Sequence, residues 1–163
     1  MLATADTFTK NDDARRAFSL IELVIVVVII GIIGAIAIPR MSRGAAGAAD
    51  SGLTADVAVL RNAIDLFKAE HGGLEPALAT FSAQLTTYTD AAGTANATKT
   101  SVYYFGPYLR EVPKLKVGTN KGKNGVIAAQ AGTVAGWVYA NGDISANLPD
   151  GELDAEGRQY NAY

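Results

Sequence analysis

The side chain least in keeping with its neighbours in this sequence is Glu22. Leu23 to Ile38 carry no polar side chain, and from Phe18 onward only Ser19 and Glu22 interrupt the apolar run. A carboxylate in such a run is costly, so it is retained where it has a function and a partner. Few other residues offer chemistry. There is one histidine, His71, and no cysteine, which removes most metal and nucleophile constellations. No phosphate-binding glycine loop or metalloprotease spacing occurs, and nothing places Ser, His and Asp together. Near the C-terminus Asp143, Asp150, Glu152, Asp154 and Glu156 oppose only Arg158. The alternation Glu152-Leu153-Asp154-Ala155-Glu156-Gly157 resembles the start of a calcium loop, where oxygen ligands recur at every second residue before a glycine. The later bidentate glutamate is missing, since Tyr163 stands in its place, so this is not an EF-hand. Asp150, Glu152 and Asp154 are thus calcium candidates within what is otherwise a solvated acidic tail. From Lys99 to Lys123 six basic residues accompany one acid, Glu111. Such a stripe is a solvated face, or a contact for an acidic neighbour or DNA.

These residues need elements to hold them. Residues 18–38 as a helix would span roughly 31 Å, close to one bilayer core. Pro39 is expected to kink or loosen this helix, and Gly31 and Gly34 lower the cost of unwinding. Residues 40–52 are mostly small, which makes a weak helix but a close-packing surface. Leu53, Val57, Leu60, Ile64 and Phe67 then fall on one helical stripe, the face on which a small sheet packs. His71-Gly72-Gly73 ends the helix, with His71 expected as a cation near its C-terminus. Leu78, Phe81, Leu85 and Tyr88 predict a short second helix, and residues 89–101 a polar loop. Residues 126–130, 137–140 and 144–147 predict three strands, the last two joined by Asn141-Gly142-Asp143. Trp137 and Tyr139 share one strand face and are expected in the core. The fold class is therefore α+β: a long N-terminal helix packed against a small antiparallel sheet.

The chain has 163 residues and a net charge of −2, which does not point to a nucleic-acid binder. Without cysteines, an exported domain must rely on its core, on ions or on neighbours. The first 17 residues are polar and resemble a removed leader more than part of a fold. Basic residues flank both ends of the apolar span, Arg15 and Arg16 on one side and Arg40 and Arg43 on the other, so charge alone leaves its orientation open.

Arg15-Arg16-Ala17 followed by Phe18-Ser19-Leu20-Ile21-Glu22-Leu23 resembles the processing site of type IV pilin-like precursors, including type II secretion pseudopilins. The resemblance covers about the first third of the chain. It implies cleavage between Ala17 and Phe18 by a prepilin peptidase, N-methylation of Phe18, and use of Glu22 in filament assembly. Gly31, Gly34 and Pro39 fit the family's helix. The family usually carries Gly before the cut; Ala17 is also small, so slower processing is the most expected of it. Gly106-Pro107-Tyr108-Leu109, with Pro113, resembles the loop before the sheet in the major pseudopilin, and the missing disulfide also leans that way. The implied layout is a leader (1–17), a transmembrane assembly segment (18–38), a periplasmic half-helix (39–72) and a small α+β domain (73–163). The implied role is a structural subunit, not an enzyme. It would be anchored in the bacterial inner membrane by a single pass, with its domain in the periplasm. It would polymerise through its N-terminal helices, with minor pseudopilins, an inner-membrane assembly platform and exported proteins as further partners. A surface pilin for adhesion, motility or DNA uptake is the alternative. A different class is a secreted binding domain released by cleavage after Ala37. Against that, Glu22 interrupts the apolar region, which is longer than the usual 7–15 residues of a signal.

Overall fold

The structure, a computed structural model, describes residues 18–163. The expected leader, including Ala17, lies outside the described residues. The chain divides into two units at Arg40 and Met41. Helix α1, Leu20–Glu70, supplies the described part of the first and opens the second.

In the second unit the expected stripe forms the core. Leu53, Val57, Leu60, Ile64 and Phe67 are at most 3% exposed. They pack against Phe81 and Leu85, against Val112, Leu115 and Val117, and against Trp137, Tyr139, Ile144 and Leu148. Burying each large apolar side chain contributes about 1.5–3 kcal/mol, so this stripe rather than helix propensity holds the C-terminal half of α1. The helix stops where Gly72 turns left-handed at φ 63°, and the Gly73 amide donates to the Lys68 carbonyl at 2.7 Å.

His71 differs from expectation. It is buried, stacked on Phe67 with ring centroids 4.0 Å apart. Its Nδ1 lies 2.8 Å from the Phe67 carbonyl and its Nε2 3.0 Å from the Thr89 hydroxyl. Both ring nitrogens lie within hydrogen-bond distance of a partner.

After α1 come a 3₁₀ turn, Leu78–Thr80, and helix α2, Phe81–Thr86. Tyr88 leaves the helix to begin β1, Tyr88–Thr89, which pairs antiparallel with β2, Ala95–Asn96. This ribbon lies within the stretch expected to be loop. Asp90 makes it possible, because its Oδ1 accepts from the Ala92 and Thr94 amides at 3.0 and 2.8 Å. Residues 106–117 then cross the domain without regular structure. The Tyr108 and Leu109 amides donate to the Leu85 carbonyl at 3.0 and 2.9 Å.

The main sheet has the order β3-β4-β5. Strands β4, Trp137–Ala140, and β5, Asp143–Ala146, form the expected antiparallel hairpin. Asn141 (φ 54°) and Gly142 (φ 75°) make its two-residue turn, and positive φ at both positions is what such a turn requires. Asp143 therefore belongs to β5 and not to the turn. Strand β3 is only Val126–Ile127 and runs parallel to β4. It ends early because the chain turns toward residues 147–148. There Gln130 Nε2 donates to the Leu148 carbonyl at 2.6 Å and the Ala131 amide to Asn147 Oδ1 at 3.1 Å. Trp137 and Tyr139 are core residues, and the indole N–H donates to the Pro113 carbonyl at 2.7 Å.

Candidate functional site

The N-terminus of α1 is built by two side chains that bond to the backbone reciprocally. Ser19 Oγ accepts from the Ile21 amide at 3.3 Å, and Glu22 Oε2 accepts from the Ser19 amide at 2.8 Å. The Leu23 amide donates to the Ser19 carbonyl at 3.2 Å, beginning the helical ladder. This is a capping box, and Ser-x-x-Glu is its sequence signature. The role of Ser19 could thus have been found from the sequence. Glu22 lies in the first turn, where the helix dipole favours negative charge.

Beyond this cap the apolar side chains of the helix are exposed among the described residues. From Phe18 to Ile38 the large apolar side chains are 45–84% exposed. The helix is long and apolar enough to cross a membrane. A Cβ added at Gly31 or Gly34 would meet nothing within 4 Å. Among the described residues, neither glycine is required by a close approach. Residues 31–39 are α-helical here. Pro39 has no N–H to give the Ala35 carbonyl, so one rung of the ladder is missing whatever the surroundings.

The acids near the C-terminus are placed differently from the sequence expectation. Asp150 accepts from Asn161 Nδ2 at 2.7 Å, and Glu152 from the Thr119 amide at 3.1 Å. Asp154 is buried and has a cationic partner, Arg158, at 2.8 Å. It also accepts from the Glu156 and Arg158 amides at 2.9 and 2.7 Å and from the Tyr163 hydroxyl. Burial raises its pKa, but the bonds from Tyr163 and Arg158 outweigh this and lower it to about 2. Of the three candidates, only Asp154 has a cationic partner among the described residues; Asp150 and Glu152 are held by a side-chain amide and a backbone amide. Among the described residues no group of three or more acidic, histidine or cysteine side chains assembles into a metal-binding cluster.

Sequence reasoning missed Asp50. It is 5% exposed on α1, with Oδ1 accepting from the Tyr160 hydroxyl at 2.6 Å and Oδ2 from the Ala155 amide at 3.0 Å. The carboxylate fastens the C-terminal segment to the helix. Burial first, and then this bond, push the Tyr160 hydroxyl pKa well above its ordinary value. The partners lie more than a hundred residues apart in sequence, so no local pattern marks them.

Residues 13–38 match the family model described as the prokaryotic N-terminal methylation motif. The match supports the type IV pilin-like resemblance of the segment and its recognition by a prepilin peptidase. No curated protein and no solved structure matches the chain. The motif is one of structural subunits, and the exposed apolar helix that overlaps it fits membrane anchoring.

Proposed function

We propose that this chain is the subunit of a periplasmic pseudopilus in a type II secretion-like system, of the major kind. The precursor is cut between Ala17 and Phe18, Phe18 is N-methylated, and residues 18–38 hold the subunit in the inner membrane with its domain in the periplasm. Copies then join a short helical filament that moves exported proteins outward. Minor pseudopilins, an assembly platform and a separate motor act with it.

The observation that carries this reading is the methylation motif leading directly into a helix whose apolar side chains are exposed among the described residues. Glu22 is the one carboxylate of that span. A charge at the centre of a span costs on the order of 3 kcal/mol on insertion scales, and less near its end. The Ser19 amide meets part of its hydrogen-bonding need within the chain. The remaining charge is met in trans: the new amine of Phe18 in an incoming subunit pairs with Glu22 of one already placed. Slipping by one turn leaves both charges unpaired in lipid, so the pair fixes register. In the packed polymer, Gly31, Gly34 and Pro39 let the helix loosen at the membrane edge. The short Gly106–Pro113 resemblance and the missing disulfide favour a pseudopilus over a surface fibre.

Electron microscopy of cells overexpressing the chain tests this. Short helical filaments containing it, together with a secretion defect when it is deleted, are expected. Long fibres serving adhesion or DNA uptake, with secretion intact, would transfer the chain to the surface pilins.

A further inference from the structure

A filament needs two different patches on each subunit, because a head-to-tail contact that does not close generates an open helix of copies. The domain of this chain carries two such patches. One is a groove of about 650 Å³ with Ala48, Ala49, Pro113 and Leu115 among its lining residues and Lys114 and Lys121 at its rim. Both lysines are exposed, and neither has a partner among the described residues. The acid Asp56 also lines the groove but is already paired with Lys116 at 2.8 Å. Residues 110–123 as a whole hold five basic residues against one acid, Glu111, which also lines the groove. The other patch is the C-terminal segment, where residues 150–158 hold four acids against one base. Its Leu153 is 50% exposed between Glu152 and Asp154, and Glu156 is exposed.

The residues of α1 behind the two patches lie on different sides of the helix, and the patches adjoin at Thr119, whose amide donates to Glu152 at 3.1 Å. At 3.6 residues per turn, Ala48, Gly52 and Asp56 face one way, while Asp50, Thr54 and Arg61 face the other, about half a turn round the helix. Gly52 and Asp56 meet Lys116, beside the basic groove. Asp50 holds Tyr160 and Ala155, and Thr54 and Arg61 line a pocket with Tyr163. The core stripe lies between the two sides.

We infer that the basic groove receives the acidic C-terminal segment, residues 150–156, of a second copy of this chain. Leu153 covers its apolar floor, Glu156 meets Lys114 and Asp150 meets Lys121. The contact rests on the polymer reading above and gives it a periplasmic interface beside the membrane one. Charge at its rim sets orientation and partner choice, and salt screens it over about 8 Å at physiological ionic strength.

The sequence has no cysteine, which permits a clean test. Two full-length forms, Lys114→Cys and Glu156→Cys, carry different tags and are co-expressed. Mild oxidation is expected to give a mixed dimer, with no disulfide dimer when either form is expressed alone. Lys121→Glu on the first form should reduce the mixed product several-fold, and Asp150→Lys on the second should restore it. Fluorescence of the buried Trp137 confirms that each form is folded. Absence of the mixed dimer where the processed wild-type chain polymerises would overturn the contact alone, as would efficient dimers of Lys114→Cys with itself. A wild-type chain that is neither processed nor polymeric would overturn the polymer reading, and this contact with it.

Discussion

Ile29 and Ile64 are the same residue on one helix, yet the first is 51% exposed and the second 1%. Phe18 and Phe67 differ in the same way, at 84% and 0%. The later pair explains itself within the chain, since the sheet, α2 and the crossing segment cover it. The earlier pair has no internal explanation. Apolar surface of that extent marks a contact with something else, whether lipid or another protein. The same contrast holds for the acids. Asp50 and Asp154 are fully engaged in the domain. Glu22 accepts one hydrogen bond, from a backbone amide of its own cap, among the described residues. One half of α1 is finished by folding; on the reading proposed above, the other is finished by assembly.

The largest expected effect breaks the unfinished half. Glu22→Val should insert in the membrane at least as well as wild type and still be processed, yet form no filaments and support no secretion. Glu22→Asp, one methylene short, should fall between. Sedimentation of sheared filaments measures both, and normal assembly of Glu22→Val alone would remove the carboxylate from the mechanism. In the finished half, Phe67→Ala should destabilise the domain by about 3–5 kcal/mol. Its neighbour Leu66 is 50% exposed, and Leu66→Ala should change stability by no more than about 0.5 kcal/mol. Denaturant unfolding of the detergent-solubilised chain, followed through its one tryptophan, distinguishes them. Equal losses would mean that the outer face is also packed.

Asp50→Ala removes the two bonds that fasten the C-terminal segment. The expected loss is about 2 kcal/mol, with faster proteolysis after residue 149. An unchanged cleavage pattern would show that the segment is held by its tyrosines alone. The smallest effect concerns acid. Asp154 has a pKa lowered to about 2 in the folded protein, against roughly 3.9 in an unfolded chain. A lowered carboxylate pKa adds stability that is full above the unfolded value and fades as pH falls through the folded one. Between about pH 4 and 2 the wild type should therefore lose stability more steeply than Asp154→Asn. Parallel pH profiles would contradict the hydrogen-bonded network drawn around this group.

What the sequence disclosed follows from range. The stripe Leu53–Phe67, the Gly72 cap and the Asn141-Gly142 turn are local patterns, and each appears where the residues place it. The two-residue β3, its parallel pairing and the Asp50–Tyr160 bond join distant segments, and no short pattern announces them. The burial of His71 on Phe67 is a tertiary outcome that its position at a helix end does not announce. The partners of Asp154 likewise include backbone amides that composition does not show. At the N-terminus the motif was legible, and the Ser19–Glu22 cap was legible in principle from its spacing.

The claim that the first half of α1 is finished by assembly begins with how the chain is cut. Intact mass of the membrane-bound protein measures this most directly. The account predicts a chain starting at N-methylated Phe18, with the whole apolar helix retained. A chain starting at Ile38 would contradict it, because the helix would then be a discarded export signal and the domain a released protein.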